Sequence, residues 1–567
     1  MATKAPADPQ SGSHAKSYAL MASGTMVSRV LGFVRTALLA IAIGANANIA
    51  DIFEKANVIP NIIFMLLAGG IFNVVLVPQL IKASRAADKG SDYTSRLITL
   101  TVVVMGIFTV LLTLGAGPII TVLTKGWSPA AIELGTAFAY WCLPQIFFYG
   151  VYAVVGQALN AHGRFGSYMW APVANNLVQI LVIISFMLAF GSNAEHPHQV
   201  QNWTAAQTVW LAGGSTLGIA IQSLVLFIPL ARSGLRIRPK FNWRGMGLRH
   251  VGKLAAWTLV SMTVGNVASL VYARLVSSTV GARDSLPPAE AAAVPGEQAL
   301  NAMQLVTVLP HSIFALSLAT VLFNELSRAF ADKEREKVAP TLSLGLRTTA
   351  IPVVFATVAF MVLAGQLGRL FAGSGEHVEV AGAAIGQLLL LTVLGLPFKS
   401  IHFFLIRVFF AEEDTRTPMV IQTAIAVVGV VLAYGMAAVL PPTKIALGIA
   451  LLFGVTNIIS AALAHVLVVR RYGDYGTREV VDTYISIGWF SVVSGVVGTV
   501  VLWAMGGFTS GFAWQSILTA LVTIAVVGSV MAIVFLLLLR AARVPELENF
   551  LGPLARRIPD LGKRLRR

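Results

Sequence analysis

The sequence predicts an all-α polytopic membrane protein of about 14 transmembrane helices, arranged as two pseudo-symmetric six-helix lobes plus two C-terminal helices. Three observations predict it. Hydrophobic residues make up 56% of the chain and charged residues only 12%, with a mean hydropathy of +0.77; a soluble domain carries about 25% charged residues. Apolar runs of about 20 residues, enough to cross a hydrocarbon core of roughly 30 Å as a helix, recur from end to end. Short strings in the first half return in the second at a spacing close to six runs. Open sheets are excluded, because their edges cannot satisfy backbone groups in lipid.

Breaks of Gly, Pro and charge divide the runs. The first span, 17–43, closes at Gly44; it starts too late and runs too long for a signal peptide, with no small-residue cleavage pattern behind it. The second, 51–82, ends in a basic turn with Lys82, Arg85 and Lys89. The third, 97–123, stops at "TKGWSP", the fourth, 129–160, at "NAHGRF", and the fifth, 165–191, at "GSNAEHPHQ". The sixth, 204–231, meets a basic segment with Arg236, Arg238, Lys240 and Arg244, and the seventh, 248–281, ends at "GARDSLPP". The eighth to eleventh, 299–329, 341–372, 378–410 and 416–439, are cut by "ADKEREK", "AGSGEH", "AEEDTRTP" and "LPPTK". The twelfth, 445–470, stops at "RRYGDYGTRE", the thirteenth, 480–506, at "GGFTSG", and the fourteenth, 512–540, runs into a basic tail.

The repeat sits on two pairs of strings. "NVIPNIIF" in span two resembles "TVLPHSIF" in span eight, and "YWCLPQIFFYG" in span four resembles "VLGLPFKSIHFF" in span ten. The organisation read from this is a cytoplasmic tail 1–16, an N-lobe 17–231, a cytoplasmic basic linker 232–247 and a C-lobe 248–470. A helix pair 480–540 and a basic cytoplasmic tail 541–567 follow. Parallel repeats of this sort place a substrate near mid-membrane between the halves and work by alternating access.

Charge sets topology. The net charge of +16 and pI near 10.1 could suggest nucleic-acid binding, but the basic residues punctuate apolar spans and form no single patch, so no nucleic-acid partner is expected. Segments on the N-terminal side carry about 30 Lys and Arg, including the tail up to Arg567, against Lys125, Arg283, Arg369 and Lys444 opposite. Both termini are therefore expected in the cytoplasm. The tail reads as a solvated or headgroup-bound end and receives no site. The lone Cys142, in an apolar run, reads as a packing residue.

Beyond the basic residues assigned to the flanking segments, about seven remain within spans: Arg29, Arg35, Lys55, Arg274, Arg347, Lys399 and Arg407. Each costs several kcal/mol at membrane depth unless it snorkels, pairs or lines a wet cavity. Arg347 and Lys55 lie near span ends, where snorkelling suffices. Arg29 lies roughly 18 Å into span one at 1.5 Å per residue, and Arg274 is comparably deep. Such arginines either fix helix packing through a buried pair or carbonyl contact, or line a translocation cavity. No span holds an acid near its midpoint, which favours the cavity. Unpaired guanidinium groups there suit an anion, above all a phosphate accepting bidentate hydrogen bonds. Arg29 and Arg35 are six positions apart, about 120° around an ideal helix, and a bend at Gly24 and Gly32 would let both face one cavity. Asn175, Asn176 and Gln179 in span five read as inter-helix hydrogen-bond glue or as contacts to sugar hydroxyls. Lys399 and Arg407, eight residues apart with His402 beside them, share one helix face; they read as headgroup contacts or as a polar lobe interior. His162 and His377 lie in turns without ligand-spaced partners, so no metal or cofactor is expected. No nucleophile elbow, metal-protease pattern or phosphate-binding glycine loop occurs, so an enzyme is not expected.

"SRVLGFVR", "ADIFEKANVIPN", "GGIFNVVLVPQL", "LNAHGRFGSYMWAP" and "DTRTP" together resemble the MurJ/MviN family of lipid II flippases in the MOP exporter superfamily. The resemblance covers nearly the whole chain and is strongest over residues 23–83. It implies two six-helix lobes around a central cavity, helices thirteen and fourteen forming a lipid-facing groove, and export of the undecaprenyl-diphosphate-linked cell-wall precursor. It places the family's substrate residues on Ser28, Arg29, Arg35 and Asp51. The chain departs from the family pattern at Phe64, Gly69 and Leu305, where relatives carry basic or acidic residues; Arg274, judged by its depth, is expected to supply the missing charge from the second lobe. Some relatives hold sodium with an acid in span seven or eleven, and the cores of both spans here contain none. Expected partners are the lipid-linked precursor, membrane lipids and cell-wall synthesis or division proteins. A flippase for another lipid-linked glycan would need the same cationic cavity. A drug or cation antiporter would need buried carboxylates. A non-transporting scaffold for cell-wall synthesis would need no cavity at all.

Overall fold

The computed structural model describes residues 9–66, 80, 83, 88, 90–235, 237–243, 248–508 and 511–547. Lys82, Arg85, Lys89, Arg236, Arg244, Gly69 and the tail from Arg556 to Arg567 lie outside the described residues. All regular structure among the described residues is helical, the outcome the hydrocarbon solvent requires.

Among the described residues a helical segment falls within each expected span, span two being described continuously only to Leu66. They are α1 (Pro9–Ile43), α2 (Asn48–Leu66), α3 (Ser91–Leu114 with Ala116–Leu123), α4 (Pro129–Cys142 with Gln145–Ala161) and α5 (Phe165–Phe190). Next come α6 (Ala205–Thr208, the π turn Val209–Gly213, Gly214–Leu224 and Phe227–Ala231) and α7 (Leu248–Val276 with Ser278–Asp284). Then follow α8 (Glu297–Pro310, the π turn His311–Ala315 and Leu316–Ala331), α9 (Val338–Val362 with Ala364–Phe371) and α10 (Val378–Val393 with Leu396–Ala411). The last are α11 (Arg416–Val439), α12 (Ile445–Tyr472), α13 (Thr477–Ala504) and α14 (Ile517–Ala541). Eleven of these are long and apolar enough to cross a membrane. The segments α2, α7 and α8 are not among them. Asp51, Glu54 and Lys55 crowd the 19 described residues of α2, and α8 is polar at Glu297, Gln298, Asn301 and Gln304 before its π turn.

The interruptions carry the repeat. Segments α3 and α9 each consist of a long piece, of 24 and 25 residues, followed by a piece of 8. Segments α4 and α10 are both broken near their middles, at Leu143–Pro144 and at Leu394–Gly395, and the prolines of the two similar strings stand at these breaks. A proline cannot donate the backbone bond that would carry the helix through.

The chain forms two compact units, Met1–Gly281 with Gly373–Glu376, and Ala282–Ala372 with His377–Arg567. Segment α7 up to Gly281 thus belongs to the first unit, whereas the sequence organisation starts the C-lobe at 248. Lys55 donates from Nζ to the carbonyl of Ala273 at 2.7 Å, and Trp127 donates from Nε1 to Ser277 O at 2.9 Å; both bonds tie α7 to this unit. In its core Phe53 meets Phe138 edge-on at 5.5 Å, and Cys142 is fully buried among Ile52, Phe138 and Ile146.

In the second unit a core of Leu322, Leu342, Phe404, Phe409 and Val468 joins α8, α9, α10 and α12. Segments α13 and α14 pack against each other and on α9, where Phe355 stacks on Phe535 at 4.7 Å. The "DTRTP" string is a capping device. Asp414 accepts from the amides of Arg416 (2.9 Å) and Thr417 (3.1 Å), from Thr417 Oγ1 (2.7 Å) and from Arg471 Nη1 (2.6 Å). Burial alone would raise the Asp414 carboxyl pKa, but these bonds outweigh it and hold the group below its ordinary value. The carboxylate serves the orphan amides at the start of α11 and ties that turn to the end of α12.

Candidate functional site

In the first unit, α1 lies against α5, and the polar residues of both form one seam. Asn176 donates from Nδ2 to the Ser28 carbonyl at 2.9 Å and to Ser28 Oγ at 3.1 Å. One turn further, Arg35 donates from Nη1 to Gln179 Oε1 at 3.2 Å, and Gln179 in turn donates to Asn175 Oδ1 at 2.7 Å. Asn175, Asn176 and Gln179 are all buried; Asn176 and Gln179 bond across to α1, whereas Asn175 accepts from Gln179 within α5. Polar bonds between helices replace the hydrophobic drive that lipid cannot supply.

Glycines set the approach. A Cβ at Gly24 would lie 2.8 Å from Trp170 Cδ1, and one at Gly218 on α6 would lie 2.5 Å from Asn175 Oδ1. Gly32 faces the Asn176 amide. Segment α1 is one continuous helix from Pro9 to Ile43, and Gly24 and Gly32 both face α5, where close approach uses them; no break in α1 accompanies them.

Arg29, next to Ser28, is half-buried and has no polar partner among the described residues. Arg35 uses one of its five donors on Gln179. Arg274 lies in the same compact unit and donates from Nε to Val122 O on α3 at 2.8 Å, the carbonyl contact that a packing arginine makes, with its terminal nitrogens left over. None of the three makes an ion pair among the described residues. Asp51, in the first turn of α2, is 1% exposed, and the positive end of the helix dipole favours a carboxylate there. Lys55 does not snorkel: it is 3% exposed and bonded to α7.

In the second unit, Lys399, His402 and Arg407 all lie on the unbroken piece Leu396–Ala411. The Arg407 guanidinium sits over the Phe403 ring at 4.5 Å from its centroid and 5.5 Å from that of Phe323, and its buried Nε has no partner among the described residues. Cation–π contact is how a polar interior within the lobe holds a guanidinium. His402 Nδ1 meets Ser460 O at 3.2 Å. Lys399 lines a pocket with Gln304, Thr307 and Asn457 and makes no side-chain bond among the described residues. Sequence reasoning missed this pocket and the contact of His311 Nδ1 with Ser400 Oγ at 3.0 Å. The available signal was the spacing of Gln304, Thr307 and His311, three and four apart, which marks one helix face. Arg347 is paired, to Glu546 at 3.3 Å and Glu479 at 3.8 Å.

A family model described as "Lipid II flippase MurJ" matches residues 39–540. A probable lipid II flippase MurJ of Vibrio cholerae is 28% identical over 419 residues, 71% of this chain and 74% of the relative. One from Synechocystis is 22% identical over 552 residues, 96% of this chain and 97% of the relative. Among solved structures, "Lipid II flippase MurJ, inward closed conformation" superposes with a TM-score of 0.67 at 19% identity, covering 92% of this chain and 99% of that one. An inward-facing multidrug resistance MATE family transporter of the MOP superfamily gives 0.61 at 15% identity, covering 78% and 94%. At these identities the structural likeness is one of fold.

Proposed function

We propose that this chain, which belongs to the lipid II flippase MurJ family, holds the diphosphate of its lipid-linked substrate on the arginines of α1 as it carries the headgroup across the membrane. The chain is a multi-pass membrane protein whose substrate class is the lipid-linked cell-wall precursor. The single observation that carries the reading is Arg29: a guanidinium inside the candidate span Ser23–Ile43, with no polar partner among the described residues. A diphosphate is the partner whose charge and oxygen geometry suit it.

Arg35, oriented by Gln179, adds a second guanidinium six residues further along the unbroken α1. Ser28 adds a hydroxyl. Asn175 and Asn176 are positioning residues that hold α1 in register, and Arg274 adds charge from α7. Asp51, buried in the first turn of α2, is assigned to the substrate on the family resemblance. In the second unit, Lys399 is assigned to the headgroup, and Arg407, held over Phe403 and Phe323, to the polar interior of that unit. The cycle is alternating access, both termini are cytoplasmic, and no covalent step is required. Cell-wall synthesis or division proteins are proposed partners.

The driving force we assign is the membrane potential. About two negative charges moving outward across about 100 mV gain roughly 4–5 kcal/mol, at about 2.3 kcal/mol per charge. The deciding experiment depletes the protein in its host and adds an outer-face enzyme that cleaves only exported headgroups. Loss of cleavage, with precursor accumulating on the inner leaflet, is the expected result. Unchanged cleavage would favour the scaffold reading, and accumulation of a different lipid-linked glycan would favour the polysaccharide reading.

A further inference from the structure

The pocket around Lys399 lies wholly within the second unit, between α8, α10 and α12, and has a volume of about 160 Å³. Its polar lining is Gln304, Thr307, Thr392, Lys399, Thr456 and Asn457; no acidic residue lines it. The three threonines spend their hydroxyl hydrogens on their own helices: Thr307 on Met303 O at 2.8 Å, Thr392 on Leu388 O at 2.7 Å and Thr456 on Leu452 O at 2.9 Å. They offer the pocket only lone pairs. The donors left are the Lys399 ammonium and the amides of Gln304 and Asn457, none of which has a side-chain partner among the described residues. The second piece of α10 begins at Leu396, also on the pocket wall, so the positive end of its dipole adds to the lysine's charge.

We infer that this pocket binds a carboxylate, and that the carboxylate is one borne by the peptide of the transported headgroup. This rests on the flippase reading above. One fixed positive charge balances one carboxylate but leaves a diphosphate's second charge unmatched. Three hydroxyls presenting lone pairs oppose a tetrahedral group with oxygens on every side, whereas two amides and an ammonium can serve the two oxygens of a planar one. A cavity of about 160 Å³ leaves room for a carboxylate with part of its chain. The pocket thus reads the peptide end of the headgroup.

The test uses the purified full chain in detergent and three probes: lipid II, lipid II with its peptide carboxylates amidated, and acetate. The wild type should bind lipid II about tenfold tighter than the amidated form, the worth of one charge-assisted bond. Lys399→Gln should lose that preference while binding the amidated form as the wild type does, and Lys399→Arg should keep most of it. A wild type that does not discriminate, or a Lys399→Gln variant that still does, overturns the assignment. Saturable, Lys399-dependent acetate binding without discrimination between the two lipids would make this a site for free anions and also overturn it. Equal loss of both lipids in Lys399→Gln with an unchanged melting temperature would show general headgroup binding instead. If the wild type binds neither lipid, the flippase reading itself fails.

Discussion

Replacing the two arginines of α1 separates binding from folding, because their surroundings differ. Arg29 has no polar partner among the described residues, so Arg29→Ala removes charge and little else, and its stability should stay within about 0.5 kcal/mol of wild type. Arg35 donates to Gln179 at 3.2 Å. A hydrogen bond from a charged group contributes about 1.5–3 kcal/mol, and this one, at the long end of the range, stands near the lower figure. Arg35→Ala should therefore lower the melting temperature as well as activity. On the substrate side, losing one desolvated guanidinium–phosphate contact costs about 2–5 kcal/mol, roughly 30-fold to several thousand-fold in binding. The assay is complementation after depletion at native expression, with abundance followed by immunoblot and export by outer-face cleavage. Both variants should fail to support growth, Arg29→Ala at normal abundance and Arg35→Ala at reduced abundance. Normal growth of Arg29→Ala, or a loss of abundance matching that of Arg35→Ala, would refute the reasoning.

Asn176→Ala removes two bonds to Ser28 and should lower stability by about 1–2 kcal/mol, read as a melting temperature in detergent; an unchanged value would mean the seam contributes nothing. Glu546→Ala leaves Arg347 with only the 3.8 Å contact to Glu479 and should cost about 1.5–3 kcal/mol in the same measurement, with export in the surviving protein unchanged. Collapsing the membrane potential should stop export, while replacing external sodium by potassium at constant potential should not; export that requires sodium at fixed potential would reverse the assignment of driving force.

Much of the fold was legible because lipid imposes a coarse rule: an apolar run continues until charge or a turn residue stops it. Segment α11 runs from Arg416 to Val439, the bounds read from "DTRTP" and "LPPTK". The rule weakens where a helix carries many polar residues, as in α2 and α8. Polar residues inside spans announced themselves, but their partners did not, since pairing is a property of helices brought together in space. Asn176 was legible as glue, yet nothing in the sequence pointed to Ser28. Lys55 reads as snorkelling from its position in the span; packing against α7 buried it. The π turn at His311–Ala315 was illegible, because one extra residue in a turn leaves the hydropathy of a span unchanged.

The ion pair between Arg347 and Glu546 has a consequence in the order of synthesis. Chains are made from the N-terminus, so α9 is complete long before residue 546 leaves the ribosome, and Arg347 must first lodge at the membrane surface without its buried partner. The contact closes only after α14 and the residues up to Glu546 have been made. A product cut short directly after α14 lacks Glu546 and never forms this contact, so the pair reports that synthesis has passed α14.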